Sequence, residues 1–145
     1  MNGTLTAARS VEIAPESRES QRPDAPTVLL VEPNPAESIL YECELRKWGY
    51  HVIAVQNGRE AVAAARAADP DLVVMEIVLP GMDGIDAMQR LLADNRRRPV
   101  VLNSAYAQYK NNFRVWSADG YVVKSSDMAE LRGTLERVLR ARRAG

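Results

Sequence analysis

The sequence has few of the residues that build redox and metal sites. Its 145 residues include one cysteine, Cys43, and one histidine, His51. One cysteine excludes an internal disulfide, and this pair cannot supply the ligands of a usual Cys/His zinc site. Such low cysteine usage is typical of a reducing compartment, so we expect a cytoplasmic protein.

Long apolar runs and a net charge are also missing. No stretch approaches the length that crosses a bilayer, and the first residues lack the basic start and apolar core of a secretory signal. Lys and Arg total 19 and Asp and Glu total 19, so the formal net charge is zero. No overall field therefore attracts polyanions. We expect neither a membrane nor a nucleic acid as a partner.

The composition that is present, 46% hydrophobic and 26% charged, suits one globular core. Residues 1–26 are polar, contain Pro15 and Pro23, and show no apolar periodicity, so we interpret them as a disordered leader. In residues 27–145, short apolar runs alternate with helical periods. This alternation predicts a single α/β domain with a parallel sheet and helices on both faces.

The alternation predicts five strands and five helices. The expected strands are Thr27–Val31, His51–Val55, Leu72–Ile77, Val100–Asn103 and Tyr121–Lys124. Asn34 and Asn57 are typical N-caps and mark the start of the first two helices. The third helix is expected at 84–94 and the last from near Asp127.

The fourth predicted helix is short and aromatic. Tyr109, Phe113 and Trp116 recur at i, i+4 and i+7, which places them on one helical face. We interpret this face as packed on the core, with a partner surface as the alternative.

Polar side chains stand where four of the strands end: Glu32, Glu76, Ser104 and Lys124. In a doubly wound sheet, the functional crevice lies beyond the carboxyl ends of the strands, where the strand order reverses. The sequence therefore predicts that these four side chains share one pocket.

Four motifs resemble the receiver domain of bacterial two-component response regulators. They are Val31-Glu32, the run from Asp71 to Gly84, Asn103-Ser104-Ala105, and the run from Ala118 to Lys124. The resemblance extends from Thr27 to about Leu139. It implies a flavodoxin-like (βα)5 fold and a role in phosphorelay signal transduction rather than an enzymatic activity.

The resemblance also implies roles for individual residues. In that family, an acidic pair after strand one binds Mg²⁺, and an aspartate at the end of strand three accepts a phosphoryl group. Here Glu32 is the remaining pocket acid and Glu76 stands at the acceptor position. Ser104 and Lys124 take the phosphoryl-contact positions, and Tyr121 is the aromatic residue that changes rotamer on activation.

The departures from the family pattern affect this chemistry. Pro33 replaces the second acid, Glu76 replaces the acceptor aspartate, and Ser125 replaces a proline. The added methylene of Glu76 moves its carboxylate by about 1.5 Å. A misplacement of roughly 1 Å can reduce a transfer rate about a hundredfold. We therefore expect phosphorylation to be lost and no cofactor, with any Mg²⁺ bound weakly through Glu32 and Glu76.

Three hypotheses follow. The leading one is a stand-alone pseudo-receiver in which Glu76 pairs with Lys124, and an inward Tyr121 would favour an active-like state. Its partner is a signalling protein that binds the fourth helix, fifth strand and fifth helix, or a second copy of the chain.

The second hypothesis is a metal-dependent receiver that is still phosphorylated on Glu76. The third is flavin or nucleotide binding on the same topology. It is disfavoured because the loop Glu32-Pro33-Asn34-Pro35 carries a negative charge and two residues without N–H groups.

Overall fold

The computed structural model describes residues 22–144, and within them the chain forms one parallel sheet with helices on both faces. The predicted leader at residues 1–26 therefore lies mostly outside the described residues. The strands are β1 (Thr27–Val31), β2 (His51–Val55), β3 (Leu72–Met75), β4 (Val100–Ser104) and β5 (Gly120–Val123). The α-helices are α1 (Pro35–Lys47), α2 (Gly58–Ala68), α3 (Gly84–Asp94) and α4 (Ala129–Ala144).

The strand order is β2-β1-β3-β4-β5, and every neighbouring pair is parallel. The chain first runs outward from β1 to β2 and then returns past β1 to β3. The order thus reverses between β1 and β3, which is the switch point of a flavodoxin-like sheet. The predicted fold class is confirmed.

Two apolar layers hold the helices to the sheet, because successive side chains of a strand point to opposite faces. Val28 and Leu30 of β1 pack in the layer that contains α1 and α4, whereas Leu29 and Val31 pack in the layer that contains α2 and α3. The buried apolar residues of α4 lie in the first layer: Leu131, Leu135, Val138 and Leu139.

The helix starts follow from their caps. The side chain of Asn34 accepts a hydrogen bond from the Glu37 N–H, and the side chain of Asn57 accepts one from Glu60. Pro35 opens α1, where its missing N–H is not needed. The predictions for both helices are confirmed.

The strand limits differ slightly from the predictions. β3 ends at Met75, so Glu76 and Ile77 follow it, and β5 is shifted by one residue, so Lys124 follows it. β4 continues for one residue to Ser104. Apolar runs in the sequence identify a strand, but the residue at which that strand ends depends on its pairing with the neighbouring strand.

The predicted fourth α-helix is wrong. The chain forms two 3₁₀ turns instead, Ala107–Asn111 and Phe113–Ser117. Between them Asn112 has an extended backbone and caps the second turn, so the three aromatic residues do not share a helical face.

The core interpretation of these aromatics is also wrong for two of them. Phe113 and Trp116 are 72% and 71% exposed, and Val115 supplies the buried contact of this segment instead. Tyr109 alone of the three packs partly against the core.

Within residues 22–144, no helix combines the length and the apolar character needed to cross a membrane.

Candidate functional site

The four predicted site residues meet at the carboxyl edge of the sheet, around the switch point. Glu32, Glu76 and Lys124 follow directly after β1, β3 and β5, and Ser104 ends β4. The Glu76 N–H donates to the Val31 carbonyl over 3.0 Å, and the Lys124 N–H donates to the Ser104 carbonyl over 2.8 Å. These two hydrogen bonds extend the parallel ladder by one residue beyond β3 and β5. They therefore hold the backbone of Glu76 and Lys124 at the edge of the sheet.

The ammonium group of Lys124 is the centre of the site. Its Nζ lies 2.7 Å from Glu32 Oε1, 2.9 Å from Glu76 Oε1 and 2.8 Å from Oε1 of Glu37. An ammonium group has three N–H donors, so three carboxylates account for all of them. The predicted pair of Glu76 and Lys124 is present, but it is one part of a larger cluster.

The third carboxylate, Glu37, was missed as a site residue. On local grounds Glu37 is only an acidic residue in the first turn of α1, next to the Asn34 cap. Only residues 32–34 separate β1 from α1, so the first turn of α1 stays close to the carboxyl edge of the sheet and the Glu37 side chain reaches the ammonium group. The informative signal is the combination of a short β1–α1 loop with an acid three residues after the N-cap.

The members of the cluster differ in burial. The side chains of Glu32 and Glu76 are 3% and 6% exposed, and that of Lys124 is 12% exposed. The side chain of Glu37 is 42% exposed, so it closes the solvent side of the cluster. Two buried carboxylates and one partly buried ammonium therefore form the inner part of the site.

Backbone donors hold the remaining carboxylate oxygens. Glu76 Oε2 accepts hydrogen bonds from the N–H groups of Ile77 (2.6 Å) and Val78 (3.2 Å). Glu32 Oε2 accepts one from Asn34 over 3.0 Å. All four oxygens of these two residues thus have a donor, as buried carboxylates require.

These contacts shift the protonation equilibria of the buried pair. Burial acts to raise the pKa of Glu76, but hydrogen bonds from Ser104 and Lys124 and the Lys124 charge outweigh it, so the pKa lies below its ordinary value. Burial acts to lower the pKa of Lys124, and the three carboxylates overcome it and raise the pKa. Both groups are charged at neutral pH.

Tyr121 and Ser104 also interact with Glu76. The Tyr121 hydroxyl donates to the carbonyl of Tyr106, and the Ser104 hydroxyl accepts from the Tyr106 N–H over 3.2 Å. The ring of Tyr121 packs partly against the core layer of α2 and α3. Burial and the nearby charge of Glu76 raise the pKa of Tyr121. The tyrosine therefore lies inward, beside the end of β4.

The residues do not fit a divalent cation. A Mg²⁺ ion needs free carboxylate or carbonyl oxygens in an octahedral arrangement. Here the inner oxygens of Glu32 and Glu76 already contact an ammonium group, and Pro33 brings no ligand to the site. Among residues 22–144, no group of three or more His, Cys, Asp or Glu side chains is arranged to hold a metal ion.

Comparison with known proteins gives a consistent result. Residues 28–136 match the family described as the response regulator receiver domain. Protein PilH of Pseudomonas aeruginosa is 31% identical over 116 residues, which cover 77% of this chain and 96% of PilH. The probable transcriptional regulatory protein TcrX of Mycobacterium tuberculosis is 33% identical over 116 residues, 79% of this chain but only 50% of TcrX. The chain thus spans about half of TcrX and nearly all of PilH.

Solved structures show the same fold. The response regulator TrrA of Thermotoga maritima, in complex with Mg²⁺-BeF, has 29% identity and a TM-score of 0.76 over 78% of this chain and 98% of TrrA. TrrA in complex with the histidine kinase ThkA has 30% identity and a TM-score of 0.75 over 79% of this chain and 98% of that chain.

Proposed function

Because the chain belongs to the response regulator receiver domain family, we propose that it acts in two-component signalling as a protein-interaction module that does not require phosphorylation. The observation that carries this proposal is the contact of Lys124 Nζ with three carboxylates at 2.7–2.9 Å. We propose that it has no catalytic activity of its own.

The first step of the argument concerns the acceptor position. By the resemblance, Glu76 stands where the family has its phosphoacceptor aspartate. Its Oε1 contacts Lys124 and its Oε2 accepts two backbone N–H groups. Both lone pairs of Oε2 are thus engaged and Oε1 is paired with the ammonium group, and the reach of this side chain differs by about one carbon–carbon bond from that of aspartate.

The second step concerns charge. Glu32, Glu37 and Glu76 place three carboxylates around one ammonium group. Phosphoryl transfer needs positive charge to offset the developing negative charge on the phosphoryl oxygens. The resemblance makes Lys124 the phosphoryl-contact residue, but carboxylates of the same chain already neutralise its charge. The site thus contains its own counter-charge in place of a metal ion and a phosphate.

The third step concerns the conformation that this cluster holds. The Tyr121 hydroxyl reaches inward to the Tyr106 carbonyl next to Ser104. In the family, an inward aromatic residue at this position accompanies activation. We therefore propose that the cluster of Glu76 and Lys124 holds an active-like arrangement.

The partner surface is proposed from the segment between β4 and β5. Phe113 and Trp116 are more than two-thirds exposed, and Tyr106, earlier in the same segment, is 43% exposed and accepts a hydrogen bond from Tyr121 of β5. Large exposed apolar side chains that share a segment are typical of interaction surfaces. TrrA, which has the same fold, binds a histidine kinase. We propose that a signalling protein binds this segment together with β5 and α4.

A second copy of the chain is the alternative occupant of this surface, and sedimentation over a concentration series tests it. If the surface pairs with itself, the wild type associates and Trp116→Ser does not. Ile39→Ser is the matched control, because Ile39 is 45% exposed on α1, away from this segment. A wild type that remains monomeric at every concentration removes the homodimer and leaves a different protein as the partner.

Intact-mass measurement with a small phosphodonor and Mg²⁺ tests the proposal directly. The wild type is expected to gain no phosphoryl group. Glu76→Asp alone is expected to gain a trace, because Pro33 still leaves the site one acid short. Pro33→Asp with Glu76→Asp is expected to gain a clear fraction that falls on chelation, and it serves as the positive control. Robust Mg²⁺-dependent labelling of the wild type at Glu76 would overturn the proposal in favour of a phosphorylated receiver.

A further inference from the structure

The fold brings together two arginine clusters that are about forty residues apart in the sequence. Arg96 and Arg97 lie at the corner between α3 and β4, and Arg137 and Arg142 lie on α4. All four line one cleft of about 1210 Å³. The same cleft is bordered by Pro99 and Asp119, which precede β4 and β5, so it lies at the amino edge of the sheet, opposite to the candidate functional site.

The positive charge of this arginine cleft is only partly neutralised. Arg142 pairs with Asp71 at 2.8 Å. Asp119 is the single acidic residue of the lining, and its Oδ2 accepts the N–H of Val100 over 2.9 Å. Among the described residues, the side chains of Arg96 and Arg97 form no ion pair or hydrogen bond. Arg137 makes one long hydrogen bond, from its Nη2 to the Asp119 carbonyl over 3.4 Å, so the guanidinium groups of Arg96 and Arg97 carry the unpaired charge of the cleft.

The third arginine of this corner does not face the cleft. Arg98 turns inward, is 5% exposed, and donates to Asp69 Oδ1 (3.1 Å) and to the carbonyl of Leu91 (3.2 Å). Arg98 thus anchors the corner to the ends of α2 and α3. Its two neighbours, which are exposed, are left to face the cleft.

The cleft also has an apolar wall. Leu92, Pro99 and Val138 contribute to its lining, and of these Pro99 and Val138 are buried. Guanidinium groups bind phosphate oxygens in pairs and also stack on flat rings. A cleft that combines free guanidinium groups with an apolar wall suits a ligand that has a phosphate chain at one end and a planar ring at the other.

We propose that the arginine cleft binds a nucleoside polyphosphate, with its phosphates on Arg96 and Arg97, close to Arg137, and its base against the half-buried Leu92. This site differs from the nucleotide site considered for the β1–α1 loop, which lies at the opposite edge of the sheet. A nucleic acid is the weaker candidate. The charge is confined to one cleft that contains an acid, and the chain has no net charge.

Titration of the ¹⁵N-labelled full chain with ATP, in low salt and without Mg²⁺, tests the proposal by NMR. We expect saturable shifts at Leu92, Ser117 and Asp119 and none at Val78, at the other edge. Arg96→Glu with Arg97→Glu is expected to weaken binding at least tenfold. Arg59→Glu with Arg90→Glu changes the same charge on exposed residues outside the cleft and is expected to stay within twofold.

Partial ligands and a duplex separate the competing explanations. Adenosine and inorganic triphosphate are each expected to bind at least tenfold more weakly than ATP. Equal binding of triphosphate and ATP would remove the role of the apolar wall and overturn the nucleoside assignment. Tighter binding of a short DNA duplex through the same residues would overturn it in favour of nucleic acid. Absence of shifts in the cleft, or an unchanged affinity of the Arg96→Glu, Arg97→Glu variant with an unchanged urea midpoint, would overturn the site itself.

Discussion

Removing the Lys124 ammonium group from the carboxylate cluster tests how much this cluster contributes to the stability of the fold. Lys124→Met keeps most of the aliphatic length of the side chain but removes the charge that Glu32 and Glu76 share. The side chains of these two glutamates are at most 6% exposed, so water cannot replace the lost partner. Taking one member out of a buried ion pair typically costs about 3–5 kcal/mol.

Protonation of a carboxylate that has lost its partner limits this cost, and the limit depends on pH. A carboxyl group with an ordinary pKa of 4.5 can be protonated at pH 7 for about 3.4 kcal/mol, at 1.36 kcal/mol for each pH unit. At pH 5 the same neutralisation costs only about 0.7 kcal/mol. With one of the two glutamates neutralised in this way, we expect Lys124→Met to lose about 3 kcal/mol at pH 7 and about 1 kcal/mol at pH 5.

Urea unfolding, followed by circular dichroism at both pH values, measures this difference. At pH 7 the loss corresponds to a decrease in Tm of roughly 10–15 °C for a domain of this size. Lys110→Met is the matched control, because Lys110 is exposed on the first 3₁₀ turn. If Lys124→Met unfolds at the same urea concentration as the control at pH 7, or if its loss does not shrink at pH 5, the reasoning about buried charge is wrong.

Three further predictions concern the same edge of the sheet. Glu37→Gln should cost no more than about 1 kcal/mol in urea unfolding, because the Glu37 side chain is 42% exposed and Lys124 keeps its two buried partners. Stability should be lost at both ends of the pH range. The Glu76 contribution is full above its ordinary pKa of 4.5 and disappears as the pH falls through its lowered pKa, and the Lys124 contribution is full below 10.5 and disappears as the pH rises through its raised pKa. The Lys124 part of the alkaline loss should be absent in Lys124→Met. Gly84→Ala should destabilise by about 1–3 kcal/mol, because a Cβ there would lie 2.5 Å from the Ile77 carbonyl oxygen, whereas Gly133→Ala, which meets no atom within 4 Å, should not.

Local signals predicted most of the fold. The caps at Asn34 and Asn57 act within a few residues of the chain, so their effect can be read from the sequence alone. The uninterrupted run Thr27–Val31 likewise indicates a strand buried on both faces. The meeting of Glu32, Glu76 and Lys124 followed from a general property of parallel sheets, namely that the carboxyl ends of their strands share one edge.

The parts that failed depend on tertiary context. The spacing of Tyr109, Phe113 and Trp116 is helical, but Asn112 interrupts the segment and the aromatics are divided between core and solvent. Glu37 lies in the first turn of α1, where an acid is expected on local grounds, but its contact with Lys124 joins elements that are distant in the sequence. Arg96 and Arg137 could not be related before α4 was placed beside the corner that precedes β4.

The most direct test of the account is an NMR titration of the ¹⁵N-labelled wild type with Mg²⁺ and beryllofluoride, a mimic of a bound phosphoryl group. We propose that the chain's own cluster of Lys124 with Glu32, Glu37 and Glu76 takes the place of metal and phosphate. This proposal predicts that the amide signals of Val78 and Tyr106, which border the cluster, stay unchanged in the wild type. It also predicts that they shift in the variant with Pro33→Asp and Glu76→Asp. Saturable shifts of these signals in the wild type would contradict the account.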